Sequence, residues 1–168
     1  MMLPEFLSLR EKEKFFRSLN GEQKIDALNE MIEESKHIVF LGGAGVSTES
    51  GIPDFRSKDG LYNKQDHKFR KYKPEYLLSY DCLNKKPEIF FSYFRKNLDC
   101  RTFQPNDAHK KLAEMERKGK LDGIVTQNID GLHQKAGSRK VWEIHGSALR
   151  CYCVSCRAEY GPELIFEN

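Results

Sequence analysis

Residues 40–56 read Phe-Leu-Gly-Gly-Ala-Gly-Val-Ser-Thr-Glu-Ser-Gly-Ile-Pro-Asp-Phe-Arg. The apolar run Ile38, Val39, Phe40 and Leu41 leads into this stretch and is expected as a buried strand. Gly42, Gly43 and Gly45 then make a turn, and a short polar helix follows. Glycines at a strand-to-helix turn let a ligand approach bare backbone, and the unpaired N–H groups of a helix start suit a phosphate. A glycine-rich loop alone is often only a tight turn. A tight turn, however, does not need the continuation Ser50-Gly51-Ile52-Pro53-Asp54-Phe55-Arg56.

On the N-terminal side, Ile25, Leu28, Met31 and Ile32 recur at helical spacing, with Asn20 placed to cap the helix. Residues 1–20 are charged and carry no motif, so they read as an extension, either a loose helix or a tail; residues 21–168 read as the main domain. On the C-terminal side, residues 57–73 form a long polar and basic segment that includes Lys64, Lys68, Arg70, Lys71 and Lys73. Pro74 opens a helix through Tyr80. Pro87 opens another, with Ile89, Phe90, Tyr93, Phe94 and Leu98 on one face, read as core. Asn106 caps a helix with Ala108, Leu112 and Met115 on its apolar face, and Gly119 ends it. Strands are expected at Gly123 to Thr126 and Val141 to Ile144. Strands alternating with helices predict an α/β fold with an open, mostly parallel, Rossmann-like sheet. Ligands bind such sheets beyond the carboxyl ends of the strands.

Two further motifs lie at those ends. Thr126-Gln127-Asn128-Ile129-Asp130-Gly131-Leu132-His133 offers donors and acceptors for an amide and for ribose hydroxyls; its plain reading is a polar turn broken at Gly131. Glu143-Ile144-His145-Gly146-Ser147 ends the third strand on a histidine. That side chain titrates near neutrality and is the natural general base. His37, His67, His109 and His133 have no comparable support.

Together the three motifs resemble the signatures of the sirtuins, NAD-dependent protein lysine deacylases, over about Lys24 to Tyr160. Gly42 stands where many members have Thr, although some bacterial members also have Gly there. The resemblance implies NAD as a consumed co-substrate, bound by Gly43, Ala44, Gly45, Thr48, Asp54, Phe55, Arg56, Gln127, Asn128, Ile129, Asp130 and His145. Phe55 and Arg56 would cover the cofactor and exclude water. Asn128, Ile129 and Asp130 would hold the nicotinamide carboxamide, and Gln127 would contact the ribose. His145 would be the catalytic base. The acyl oxygen of a modified lysine would attack the ribose carbon as nicotinamide leaves, giving free lysine and O-acyl-ADP-ribose. Acylated-lysine proteins or peptides are the implied partners.

Cys153-x-x-Cys156 supplies two thiols at metal-ligand spacing, half of a four-ligand structural zinc site. The resemblance implies a second pair downstream, completing a small zinc module that begins at about residue 150. None follows Cys156, so the chain is expected to be a C-terminally truncated member. The alternative function is then an inactive remnant that binds NAD weakly or not at all.

The five cysteines and the charged N-terminus, with no signal peptide, point to a reducing compartment, the cytoplasm. A net charge of +3 gives no reason to expect nucleic acid, and no apolar run is long enough for a membrane span. A hydride-transferring dehydrogenase fits less well: Thr48 stands where its fingerprint needs a third small residue, and no strand-ending acid follows to hold the ribose. A zinc-dependent nucleic-acid module would rest on one Cys-x-x-Cys alone.

Overall fold

The computed structural model describes residues 3–63 and 66–167. None of their helices is long and apolar enough to cross a membrane. By its internal contacts the chain divides into two units, Met1–Ile38 and Val39–Asn168.

In the first unit, α1 (Leu9–Ser18) begins where the Ser8 side chain accepts the Glu11 N–H, and Phe6 packs against Phe15 and Phe16. The second helix, α2 (Gly21–Glu34), begins at Asn20 as its sequence requires. Asn20 accepts the Gln23 N–H while the Gln23 side chain accepts the Asn20 N–H, a reciprocal capping box. The Leu3 N–H donates to Glu30 at 2.7 Å, which ties the start of the chain to α2. Ile25 and Leu28, read as the apolar face of α2, are exposed.

The second unit opens with β1 (Val39–Gly42) and a 3₁₀ helix (Ala44–Ser50). After the polar segment come α3 (Pro74–Leu77), α4 (Tyr80–Lys85) and α5 (Pro87–Asn97). The single helix expected from Pro74 stops early because Ser79 caps a new one, its hydroxyl accepting the Cys82 N–H. Phe69, Leu77 and Tyr93 form a small core, with the Phe69 and Tyr93 rings perpendicular at 5.1 Å. Of the basic run, Lys64 lies outside the described residues. Lys68, Arg70, Lys71 and Lys73 are exposed, with Lys68 donating to Ser92 Oγ at 2.8 Å.

α6 (Asp107–Arg117), β2 (Gly123–Thr126), α7 (Leu132–Lys135) and β3 (Val141–Glu143) follow. The inward face of α6 runs through His109 and Ala113; Ala108, expected there, faces solvent. Cap geometry sets this phase, because Asn106 accepts from the Ala108 and His109 N–H groups and draws the His109 ring back onto the helix start. A short antiparallel hairpin, β4 (Cys151–Tyr152) with β5 (Glu159–Tyr160), and α8 (Glu163–Phe166) close the described chain.

The three long-range strands pair in parallel, in the order β1-β2-β3. This is the parallel sheet that the alternation of elements implies. Ile124 and Thr126 on β2 point to the covered face, with Leu132 and His133 of α7 also buried. The opposite face is bare. Val39 and Leu41, read as part of a buried strand, are exposed, because apolar character alone does not say whether a second layer lies above the strand.

Candidate active site

The loops after β1, β2 and β3 all emerge at the same end of the sheet, since the strands are parallel. The Gln127 N–H donates to the Gly42 carbonyl at 3.0 Å, which stitches the first loop to the second. From Gly43 the backbone enters the 3₁₀ helix, with Ala44 at its start and Thr48 Oγ1 donating to the Gly45 carbonyl. A methyl group added at Gly45 would meet nothing within 4 Å, and one at Gly43 would meet only Gln127 Oε1, at 3.9 Å. The backbone at Gly43 and Gly45 is therefore uncrowded.

Ser47 is buried in the middle of this turn and organises the interior of the site. Its hydroxyl donates to Asp130 Oδ2 at 2.7 Å and accepts from Asn128 Nδ2 at 3.0 Å. His109 Nε2 lies 3.5 Å from the same oxygen, and His109 Nδ1 is 2.9 Å from Asn106 Oδ1. Asn106 Nδ2 in turn donates to the Val46 carbonyl at 2.8 Å. The other oxygen of Asp130, Oδ1, accepts the Leu132 N–H at 2.9 Å, and the Asn128 N–H donates to Thr126 Oγ1 at 3.0 Å. Asn128 and Asp130, both sequence candidates, therefore meet in one buried polar cluster. Ser47 and His109 complete it, although neither was a candidate. The one signal for His109 was its spacing from Asn106, which places it at the third position of the helix.

Behind the cluster, the ring of His133 lies 4.7 Å from that of His109 and 6.0 Å from that of Phe40. Both His133 ring nitrogens are buried without a partner among the described residues. Burial, with neighbouring His109 adding to it and Asp130 opposing, pushes the His133 pKa down to about 4. Burial also lowers that of His109, again against Asp130. Both shifts favour the neutral ring.

His145 stands in solvent at the mouth. Its Nδ1 is 3.1 Å from the Gln127 carbonyl oxygen. A carbonyl oxygen can only accept, so Nδ1 is the donor and Nε2 is the ring nitrogen turned away from this bond. Gly146, at φ 78°, turns the chain where a side chain would be strained. The Ala148 N–H donates to the Ile129 carbonyl at 2.9 Å, and Glu143 pairs with Arg150. The third loop is thus fastened to the second.

Asp54, Phe55 and Arg56 lie on a separate closed loop whose hydrogen bonds are internal. The Ser57 N–H donates to Asp54 Oδ1, Leu61 N–H to the Asp54 carbonyl, Tyr62 N–H to the Phe55 carbonyl and Asn63 Nδ2 to the Arg56 carbonyl. The Ser57 hydrogen bonds lower the Asp54 pKa. Gly60 presses against this loop, where a Cβ would sit 2.7 Å from Asp54 Oδ1.

Cys153 and Cys156 sit on the turn between β4 and β5. Hydrogen bonds from the Cys156 and Ser155 backbone, then from the Cys156 side chain, lower the Cys153 pKa and favour its thiolate. Cys151 is engaged otherwise, its Sγ 3.4 Å from the carbonyls of Tyr160 and Gly161. Among the described residues no group of three or more His, Cys, Asp or Glu side chains is placed to hold a metal. Two thiols do not close a tetrahedral zinc shell.

The arrangement has close counterparts among known proteins. A NAD-dependent protein deacetylase of Clostridium perfringens (strain 13 / Type A) is 52% identical over 147 residues, 88% of this chain and 59% of the relative. A Sir2 homologue solved as a complex with NAD superposes with a TM-score of 0.69 at 43% identity, covering 81% of this chain and 51% of that one. A Sir2 solved with an acetylated peptide gives 0.70 at 37% identity, covering 83% and 52%. The chain therefore spans between half and three-fifths of the length of these proteins. The Sir2 family's sequence profile matches residues 43–168, from the glycine turn through the Cys-x-x-Cys hairpin. With three strand-end loops in one cluster and three-quarters of its residues under that profile, the chain belongs to the Sir2 family.

Proposed function

We propose that this chain carries the nicotinamide- and acyl-lysine-facing part of a NAD-dependent protein lysine deacetylase site. The observation that carries the reading is the pairing of a buried Ser47–Asn128–Asp130 cluster with an exposed His145 held through Nδ1 by the Gln127 carbonyl. The relatives' activity and ligands support it: one is a NAD-dependent protein deacetylase, one was solved with NAD and one with an acetylated peptide.

Bound NAD would supply an activated ribosyl carbon and a nicotinamide leaving group. This chain's residues would do the rest. The open backbone of Gly43, Ala44 and Gly45, with Thr48 beyond, would line the cofactor. Asn128, Ile129 and Asp130 would orient the carboxamide, with Ser47 locking Asp130 in place. Gln127, exposed beside His145, would face the ribose. Phe55 and Arg56, on their own loop, would cover the pocket and keep water out. His145 Nε2 would take a proton from a ribose hydroxyl, its ring held by the Gln127 carbonyl.

Cys153 and Cys156 would give two thiolates to a structural zinc whose other ligands lie outside the described residues; no step above depends on it. The cytoplasm is the proposed compartment, since all five cysteines are free thiols.

The test is to titrate isotope-labelled protein with NAD and with nicotinamide and follow backbone amides by NMR. Shifts concentrated at Gly43 to Thr48, Gln127 to Asp130 and His145 are expected. Shifts scattered over the surface, or none, overturn the reading. Release of nicotinamide from NAD with an acetyl-lysine peptide then checks the chemistry.

A further inference from the structure

The basic segment that precedes α3 is anchored, not loose. Its backbone runs through successive tight turns, with the Phe69 N–H donating to the Asp66 carbonyl at 2.9 Å and the Tyr72 N–H to the Phe69 carbonyl at 2.9 Å. Phe69 is buried with Leu77 and Tyr93, and Tyr72 packs against the same core. These aromatic anchors fix where the cations between them stand. Lys68 is held toward α5, its Nζ donating to Ser92 Oγ at 2.8 Å. Between this turn and α5 lies a cleft of about 460 Å³, lined by Asp66, Lys68, Phe69, Ser92, Arg95 and Lys96.

Three of those six side chains are cations and one is a carboxylate. Asp66 is engaged by Lys96, whose hydrogen bond lowers the Asp66 pKa and keeps it ionised. Lys68 faces a neutral hydroxyl, and Arg95 Nη1 donates to the neutral Ile165 carbonyl at 3.3 Å. The cleft therefore keeps an excess of positive charge. Arg95 and Lys96 stand in the last turn of α5, where the helix dipole favours cations whatever their use. Lys68 lies on no helix, and that account does not reach it. The positive field extends beyond the cleft. Lys71 and Lys86 both lie over the Tyr72 ring, at 5.3 and 5.0 Å from its centroid. An aromatic face attracts a cation without neutralising it.

We propose that this cleft is a docking site for an acidic segment of a partner polypeptide, one of whose Asp or Glu carboxylates enters between Lys68, Arg95 and Lys96. Ammonium and guanidinium donors bind a carboxylate through charge-assisted hydrogen bonds, and a small cleft suits one side chain at a time. Nucleic acid fits less well. Tight nucleic-acid binding draws on about 6–10 phosphate contacts along a backbone, whereas this is a compact cleft in a chain of net charge +3. The proposal rests on the packing of the basic turn against α5, and not on the cofactor reading above.

The experiment titrates the isotope-labelled chain with a fluorescent peptide bearing a run of glutamates, read by fluorescence anisotropy and by backbone-amide NMR. The same peptide with glutamines, and a single-stranded oligonucleotide of equal charge, serve as comparisons. Saturable binding of the glutamate peptide is expected, with shifts centred on Lys68, Ser92 and Lys96, and none with the glutamine peptide. Lys68→Glu is expected to weaken binding roughly tenfold or more, because it sets like charges face to face. Lys68→Gln removes the charge without reversing it, and is expected to weaken binding several-fold with the fold intact. Lys14→Glu, on α1, changes the net charge as much as Lys68→Glu does and is expected to leave the affinity unchanged. Equal weakening by Lys14→Glu and Lys68→Glu overturns the proposal in favour of a general charge effect. A lack of saturation up to about 1 mM peptide overturns it outright. Tighter binding of the oligonucleotide at the same amides overturns it in favour of nucleic acid.

Discussion

Ser47 Oγ and Asp130 Oδ2 are joined by a 2.7 Å hydrogen bond across 83 positions of sequence, and both side chains are buried. The hydroxyl donates to Asp130 and is at the same time the acceptor for Asn128. One small residue on the first loop therefore sets the geometry of two on the second.

Ser47→Ala leaves Asp130 Oδ2 and Asn128 Nδ2 buried without that partner. The expected loss is about 1–3 kcal/mol of unfolding free energy for each group left unsatisfied. Urea denaturation followed by circular dichroism checks this. A variant as stable as the parent means that water replaces the hydroxyl.

Asp130→Asn keeps the size of the side chain and removes its charge. Exchange of labelled nicotinamide is expected to weaken more than NAD affinity, because Asp130 lies in the loop assigned to the carboxamide. Both quantities are measured on one preparation. Equal losses would show that Asp130 only supports its loop.

His145→Ala is expected to leave stability unchanged, since the ring is exposed and makes one hydrogen bond. NAD-dependent deacetylation of an acetyl-lysine peptide is expected to fall by roughly 10²–10⁴-fold, the usual worth of a general base. Near-full activity in a folded variant removes His145 from that role.

Stability should fall in mild acid because of His133. Its folded pKa is about 4, against 6.5 ordinarily. Between those values the unfolded chain binds a proton that the folded chain refuses, so stability declines as pH drops from about 6.5 to 4 and this contribution levels off below. His109 acts in the same direction. His133→Leu, which sacrifices no hydrogen bond, is expected to flatten the curve between pH 6.5 and 4 relative to the parent. Parallel curves would mean that the ring titrates normally.

Much of this fold was legible. Asn20 and Asn106 mark two helix starts, because a side-chain acceptor followed by helical apolar spacing has few other uses. The strand Gly123–Thr126 falls where its residues indicate. The convergence of three motifs followed from parallel strands carrying them on the same end. Ser47 and His109 were not legible as site residues. Their role depends on a contact 62 positions apart, and neither residue differs locally from an ordinary serine in a turn or histidine in a helix. The bare face was hidden for a related reason. Ile38 to Leu41 reads the same whether one layer or two lie over it, and only the folded chain separates those cases.

The Glu143–Arg150 ion pair has a mechanical consequence. Glu143 ends β3 and its side chain is almost wholly buried; Arg150 immediately precedes the β4–β5 hairpin. His145 rides on the short arch between these two anchors, which also holds the Gly146 N–H to the Glu143 carbonyl. The start of the Cys153–Cys156 hairpin and the end of β3 are therefore tied together across the arch that bears His145, so the hairpin, far from the glycine turn in sequence, braces the same loop that meets the Gln127 carbonyl.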